Sequence, residues 1–236
     1  MMVSGIIAEM GNAHNGSLTT AHKIIEACAK AGVDWMKFQC YLPKELVSLR
    51  GDGPAPKPWQ KYSMYELYEK AQTPHSWFPS LKRKCEEVGI PWFSSVFGTD
   101  SLAMLEKIGC PAYKLASLDV EQDVFRKLVI ATGKPVIQSS PEPVSIKGVT
   151  VLWCPPFYPQ KKIDIQELRN AMVVCDGFSY HGTSPIPPQN ALKYGAKIVE
   201  VHVQLDSEPS KLEANCCLNI SDLYKLTGKP KRKVRK

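Results

Sequence analysis

Apolar residues come in short runs along this chain, and the runs alternate with stretches of helical period. "GIIAE" (5–9) has the pattern of a buried strand. "LTTAHKIIEACAKAG" (18–32) follows, with Ala21, Ile24, Ile25 and Cys28 on one face and Ser17 placed to cap it. Further strands are predicted at "WMKFQ" (35–39), "PWFSSVF" (91–97), "AYKLAS" (112–117), "PVIQSS" (135–140), "VTVLWC" (149–154), "GFSYH" (177–181) and "KIVEVHV" (197–203). Helical patterns lie between most of them: "YSMYELYEKA", "WFPSLKRKCEEVG", "DSLAMLEKIG", "QDVFRKLVIATG", "DIQELRNAM" and "PPQNALKYG". Such alternation predicts a parallel sheet. Eight units predict a closed (β/α)8 TIM barrel, an α/β fold. The competing fold, an open doubly wound sheet, would carry a glycine-rich phosphate loop after its first strand. "EMGNAHNG" (9–16) is not G-x-G-x-x-G, and no G-x-x-x-x-G-K-[ST] occurs.

Two places trim the barrel. Only "PEPVSIKG" (141–148) separates the fifth and sixth strands, whereas a parallel crossover needs a dozen residues or more. The helix there is expected to be missing. After the eighth strand, "SDLYKLTG" leaves at most a stub of a last helix. An incompletely covered barrel wall predicts a subunit interface, hence a homo-oligomer. The Gly/Pro-rich "LRGDGPAPKPW" (49–59) is the best candidate for a lid.

The 236 residues suit one large domain, taken as a barrel over 1–228 followed by a basic tail over 229–236. The net charge of +7 belongs to that tail: "KPKRKVRK" holds six cations, leaving 24 basic against 23 acidic residues elsewhere. Such a tail can touch a polyanion. A solvated, disordered end is preferred, because no basic or aromatic groove elsewhere supports nucleic-acid binding. No apolar run approaches the roughly 18 residues of a membrane helix, so no membrane partner is expected. The start lacks the pattern of a signal peptide. The eight cysteines form no C-x-x-C pair and are scattered through apolar stretches. They read as buried reduced thiols of a cytoplasmic protein.

Chemistry in a TIM barrel sits at the C-terminal strand ends. Those ends carry Glu9; Lys37 and Gln39; Ser94 and Ser95; Lys114, Ser117 and Asp119; Ser139 and Ser140; Tyr158; Ser179 and His181; and His202. Lysines inside apolar strands are rare unless paired or functional. Each alone reads as a snorkelling side chain. Together with the serines they make a pocket for phosphate or carboxylate. Glu9 reads equally well as the ion partner of one lysine. His181 and His202 end neighbouring strands, which lie about 5 Å apart, so they can share one ion. Histidine and oxygen ligands with open positions suit Mn²⁺, Mg²⁺, Zn²⁺ or Fe²⁺. Within "VEVHVQLD" (199–206), Glu200 has the parity of His202 and should point inward one layer deeper, toward a cation. His22 and His75 are taken as surface or loop residues; His14, in the first βα loop, lies where it can reach the site.

These residues stand in a recognisable order. "IIAEMGNAHNGSLTTAHKIIEACAKAGVDWMKFQCY", then "SSVF", "PAYKLAS", "GKPVIQSS", "FYP", "SYH" and "GAKIVEVHV", closely resemble the barrel of the N-acetylneuraminate (sialic acid) synthase family, from residue 5 to about 226. The resemblance implies a metal-dependent TIM barrel that condenses phosphoenolpyruvate with an N-acetylated aminosugar such as N-acetylmannosamine. The products are a nonulosonic acid and phosphate. Carried over by position, it assigns Lys37, Lys114, Ser95, Ser117, Ser139 and Ser179 to phosphoenolpyruvate. It assigns His181 and His202 to a divalent metal, Mn²⁺ first and Mg²⁺ or another ion second. It makes Gln39 and Tyr158 substrate contacts and gives Glu9, Asp119 and Lys114 to the chemistry, with Asp119 where a glutamate is common. The chain departs from the family at Pro156, at Tyr180 of "SYH", and in "SEPSKLEAN" (207–215), where Glu213 loosely replaces an aspartate. The family's C-terminal antifreeze-like domain, which lends an arginine to its dimer partner's site, has no counterpart in these residues. A related barrel aldolase or 3-deoxy-sugar-acid synthase, and a degenerate barrel kept for binding, remain alternatives.

Overall fold

The computed structural model describes residues 5–117, 123–160 and 162–229. Eight parallel strands close into a barrel: β1 (Gly5–Glu9), β2 (Trp35–Cys40), β3 (Trp92–Val96), β4 (Tyr113–Leu115), β5 (Val136–Ser140), β6 (Thr150–Trp153), β7 (Gly177–Tyr180) and β8 (Ile198–Gln204). Closure is by β1 against β8, with Glu9 opposite His202. The predicted TIM barrel is therefore observed, strand for strand. The strands are buried on both faces, which is why they read as nearly continuous apolar runs.

Helices α1 (Leu18–Ala31), α2 (Pro43–Arg50), α3 (Met64–Ala71), α4 (Phe78–Val88), α5 (Thr99–Lys107), α6 (Asp123–Ile130), α7 (Ile165–Val174), α8 (Ile186–Lys193) and α9 (Ile220–Thr227) accompany the barrel. Ser17 caps α1 as expected, its side chain accepting from the Thr20 amide. Among the described residues no helix joins β5 to β6; a turn with a single Ile146–Val149 bridge takes its place. The last helix has 8 residues, the shortened form expected. Among the described residues no helix is long and apolar enough to cross a membrane. All eight cysteines are buried and unbridged.

Two elements depart from the sequence expectation. Helix α2 was not foreseen, because its apolar face is narrow and Leu46 alone is its fully sequestered aliphatic contact, against Tyr41 and Phe97. A ninth strand, β9 (Cys217–Asn219), pairs parallel with the end of β8, placing Cys217 opposite His202. Since Glu9 already occupies one side of His202, β9 takes the side that β7 vacates above Tyr180. Three residues carry too little pattern to announce a strand. The basic tail beyond Lys229 lies outside the described residues.

Candidate active site

The floor of the site is a network of charge inside the barrel. Lys37 (β2) is the register partner of Glu9 (β1) and forms an ion pair with it. Its Nζ donates to Ser95 Oγ on β3 at 2.8 Å and lies 3.6 Å from Glu200 Oε2 on β8. Lys114 (β4) donates to Ser139 Oγ on β5 at 2.7 Å and to Glu200 Oε1 at 3.1 Å. Ser179 (β7) donates to the same Glu200 oxygen at 2.9 Å. Glu200 thus points inward to cations, as its parity with His202 required.

All four charges are buried, so their balance decides their state. Burial opposes the charge on Lys37, but Glu200 and then Glu9 outweigh it and hold the ammonium above its usual pKa. For Lys114 burial dominates despite Glu200, and its pKa falls below the ordinary value. Burial also disfavours ionised Glu200, yet Lys114 and Lys37 hold its carboxyl well below the usual carboxylate range. Two lysines against two carboxylates are neutral overall. They present donors upward into a cavity of about 230 Å³ lined by Lys37, Gln39, Ser95, Lys114, Ser117, Ser139, Ser179, His181 and His202.

The cavity's upper wall is imidazole and phenol. The rings of His181 and His202 are 4.8 Å apart, and Tyr158 lies 5.0 Å from His181. Gln160 fixes the His181 backbone, its Oε1 accepting from the His181 amide at 3.1 Å. Burial, then His202, pushes the His181 pKa down to about 3, so its imidazole is neutral. His202 differs: burial lowers its pKa, but the neighbouring Glu213 carboxylate outweighs this and raises it. Burial opposes ionised Glu213 in turn, and His202 overcomes it, keeping the carboxyl low.

Glu213 is the residue that sequence reading undervalued. It accepts from the Asn12 amide at 2.9 Å and from Tyr158 OH at 2.6 Å, and its Oε2 lies 3.3 Å from His202 Nδ1. That Nδ1 is buried yet has no partner in hydrogen-bonding geometry. Gly11 makes the room: its φ is +50°, and a Cβ there would strike Glu213 and His202. Two imidazoles, one of them neutral and the other with an unsatisfied nitrogen, beside a fixed carboxylate fit a divalent cation. Donor atoms of His202, Glu213 and Cys217 all lie within 4.8 Å of one another. The signal for Glu213 was its place in the loop after β8; the signal for Cys217 was absent, because β9 was.

The remaining expected residues divide. Gln39, Ser117 and Tyr158 line the cavity with the lysines, serines and histidines; Glu9 does not line it and is fully buried against Lys37. Asp119 lies outside the described residues. His14 does not reach the cavity. It is buried under the β1–α1 loop, edge-on to Trp77 at 5.3 Å, its Nδ1 accepting from the Gly16 amide and its Nε2 3.3 Å from Thr73 Oγ1. His22 and His75 are bound to Ser80 and Ser101 on the outer helices.

A second cavity of about 370 Å³ adjoins the first, sharing Gln39, Tyr158, His181 and His202. Its outer wall is Pro56, Trp59, Met64, Leu67 and Tyr68, from the segment between β2 and α4. The Trp59 indole N–H donates to Leu212 O at 3.1 Å, tying the Gly/Pro-rich loop to the loop that carries Glu213.

Comparison with known proteins bears on this site. The model of the NeuB family matches residues 24–141 and 144–235. A pseudaminic acid synthase of Campylobacter jejuni is 33% identical over 237 residues, covering 87% of this chain and 68% of its own. A pseudaminic acid synthase of Helicobacter pylori is 31% identical over 85% of this chain and 66% of its own. The chain thus spans about two thirds of the length of these relatives. Among solved structures, the N-acetylneuraminic acid synthetase of Leptospira borgpetersenii superposes with a TM-score of 0.79 at 24% identity, over 95% of this chain and 81% of that one, a likeness of fold.

Proposed function

The chain belongs to the NeuB family, and we propose that it is a carbon–carbon bond-forming synthase that condenses phosphoenolpyruvate with an N-acetylated aminosugar aldehyde, giving a nonulosonic acid and phosphate. The observation that carries this reading is the pair of buried lysines, Lys37 and Lys114, each bonded to a serine under an imidazole pair. That floor aims ammonium and hydroxyl donors at a small anionic acid, with its own carboxylates set beneath them. The relatives named as pseudaminic acid synthases support the sugar-acid product.

In this reading Lys37, Lys114, Ser95, Ser117, Ser139 and Ser179 hold the phosphate and carboxylate of phosphoenolpyruvate. The sugar enters from the second cavity, where Gln39 and Tyr158 orient it. His181 and His202 would hold a divalent cation, with Mn²⁺ the expected ion; bound there, it would polarise the acceptor's carbonyl oxygen. C3 of phosphoenolpyruvate attacks the aldehyde carbon. Water adds to the electron-poor C2; its two protons end on the new alkoxide and on the phosphate as the C2–O bond to phosphate breaks and the C2 ketone forms. Glu9 takes the proton of that water, with Asp119 as the second carboxylate. Glu9 is held next to Lys37, its Oε1 accepting from the Gly11 amide at 2.7 Å and its Oε2 paired with the ammonium. The lysines neutralise the departing phosphate. Buried reduced thiols support a cytoplasmic setting.

The test is phosphate release from phosphoenolpyruvate with Mn²⁺ and the hexose precursors of N-acetylneuraminic, pseudaminic and legionaminic acids. Release with one of them is the expected result. Silence with every sugar, in a protein that purifies without metal, overturns the reading.

A further inference from the structure

We infer that Cys217 is a ligand of the cation at the barrel mouth, with His202 and Glu213, and that its thiolate lets a zinc-like ion compete there with the Mn²⁺ expected above. The inference rests on the function proposed above only for the presence of a cation at this place. Its geometry comes from β9. Cys217 is the parallel register partner of His202, so the two side chains leave neighbouring strands on one face, about 5 Å apart. The loop between them returns Glu213 to the same point. The three donor atoms lie within 4.8 Å of one another, and all three residues are at least nine-tenths buried. Among the described residues this is the sole grouping of three such donors.

Two features separate this place from an ordinary buried thiol. His202 Nδ1 is sequestered from water and has no partner in hydrogen-bonding geometry, although Glu213 Oε2 lies 3.3 Å away. It is aimed at the Glu213 carboxylate, which cannot rotate away because Asn12 and Tyr158 hold its two oxygens. Outer partners of this kind fix the orientation of ligating groups. Cys217 Sγ meanwhile donates weakly to Glu213 O at 3.3 Å, a contact that ionisation would release. On metal binding the thiol proton leaves to solvent and the sulfur lone pair forms the new bond. Three protein donors with the pocket side left open, toward His181, is the arrangement of a catalytic rather than a structural site. A soft thiolate among harder donors disfavours Mg²⁺ and Mn²⁺ relative to Zn²⁺ or Co²⁺.

The experiment is a titration of metal-stripped, reduced full-length protein with Co²⁺, followed by near-ultraviolet absorption. The expected result is a thiolate-to-cobalt charge-transfer band that saturates at one equivalent and is displaced by Zn²⁺. The band should vanish in Cys217→Ser and persist in Cys216→Ser and Cys154→Ser. Competition should show Zn²⁺ affinity falling by tenfold or more in Cys217→Ser while Mn²⁺ affinity changes little. Thermal melts of each variant separate ligand loss from unfolding, and a Cys217→Ser variant that melts early is replaced by Cys217→Ala. Absence of the band in the wild type, or its survival without Cys217, overturns the inference. A band in a protein that releases no phosphate with any sugar keeps the site and overturns the proposed reaction; phosphate release without the band does the reverse.

Discussion

Lys114 and Glu200 meet at 3.1 Å across the interior of the barrel, from β4 to β8, strands that lie on opposite sides of the sheet order. Glu200 also faces Lys37 at 3.6 Å. Glu200 therefore faces both buried ammonium groups, whereas Glu9 pairs with Lys37 alone. Glu200→Gln would leave excess positive charge in a dry site, and removing one partner of a buried pair costs about 3 kcal/mol or more. The unfolding free energy is expected to fall by that amount, lowering the denaturation midpoint, and to recover in part when inorganic phosphate is added. An unchanged midpoint without phosphate would show that Glu200 does not carry this balance.

Lys114→Met removes a donor from the anion floor while keeping most of the volume. A charged hydrogen bond is worth about 2 kcal/mol, so affinity for phosphoenolpyruvate should fall by roughly thirtyfold. Calorimetric titration measures it directly, without a sugar present. Affinity within twofold of the wild type would remove Lys114 from the proposed phosphoenolpyruvate site.

His202→Ala removes the imidazole nearest Glu213. The variant is expected to purify without divalent metal and to take up none on dialysis, while its circular dichroism matches the wild type. Metal analysis after gel filtration checks this. Retention of one equivalent would mean that His202 is not a ligand.

Trp59→Phe keeps an aromatic wall but deletes the N–H that binds Leu212 O. The loss of one neutral hydrogen bond, about 1 kcal/mol, is expected to raise the KM for the sugar roughly fivefold. The KM for phosphoenolpyruvate should stay put, because Trp59 lines the outer cavity and not the lysine floor. Equal changes in both would contradict that division.

His14 gives the fold a pH dependence of definite sign. Burial holds its pKa down at about 4, against 6.5 unfolded. The unfolded chain therefore takes up the proton first as pH falls. Stability is full above pH 6.5 and declines toward pH 4, by up to about 3 kcal/mol from this residue. Denaturant midpoints between pH 7 and 4.5 should show a shallower decline in His14→Asn than in the wild type. Parallel slopes would exclude His14 as the source.

The barrel and its missing helix were legible because they depend on local pattern. Eight apolar runs and one connection of eight residues, "PEPVSIKG", sufficed. Strand parity likewise placed Lys37, Lys114, Ser139, Ser179 and His202, since every second residue of a strand faces inward. Glu200 followed from the same rule. Helix α2, β9 and the final position of Glu213 were not legible. The narrow apolar face of α2 hid it; β9 and Glu213 depend on how the loop of residues 205–216 folds back over the mouth, and that path is set by distant partners: Asn12, Trp59 and Tyr158. His14 misled for the opposite reason, since its loop is near the site but its ring is turned toward Trp77 and Thr73.

The pairing of Glu9 with His202 joins the first strand of the barrel to the eighth. Contacts of such long separation in sequence are the slowest to form, because the whole intervening chain must be gathered first. The reactive centre therefore cannot exist on a partly made polypeptide: until β8 has been synthesised and has found β1, Glu9 has no histidine beside it. Affinity for the proposed cation should accordingly appear during refolding only as the ring closes, at the end of the chain's longest search.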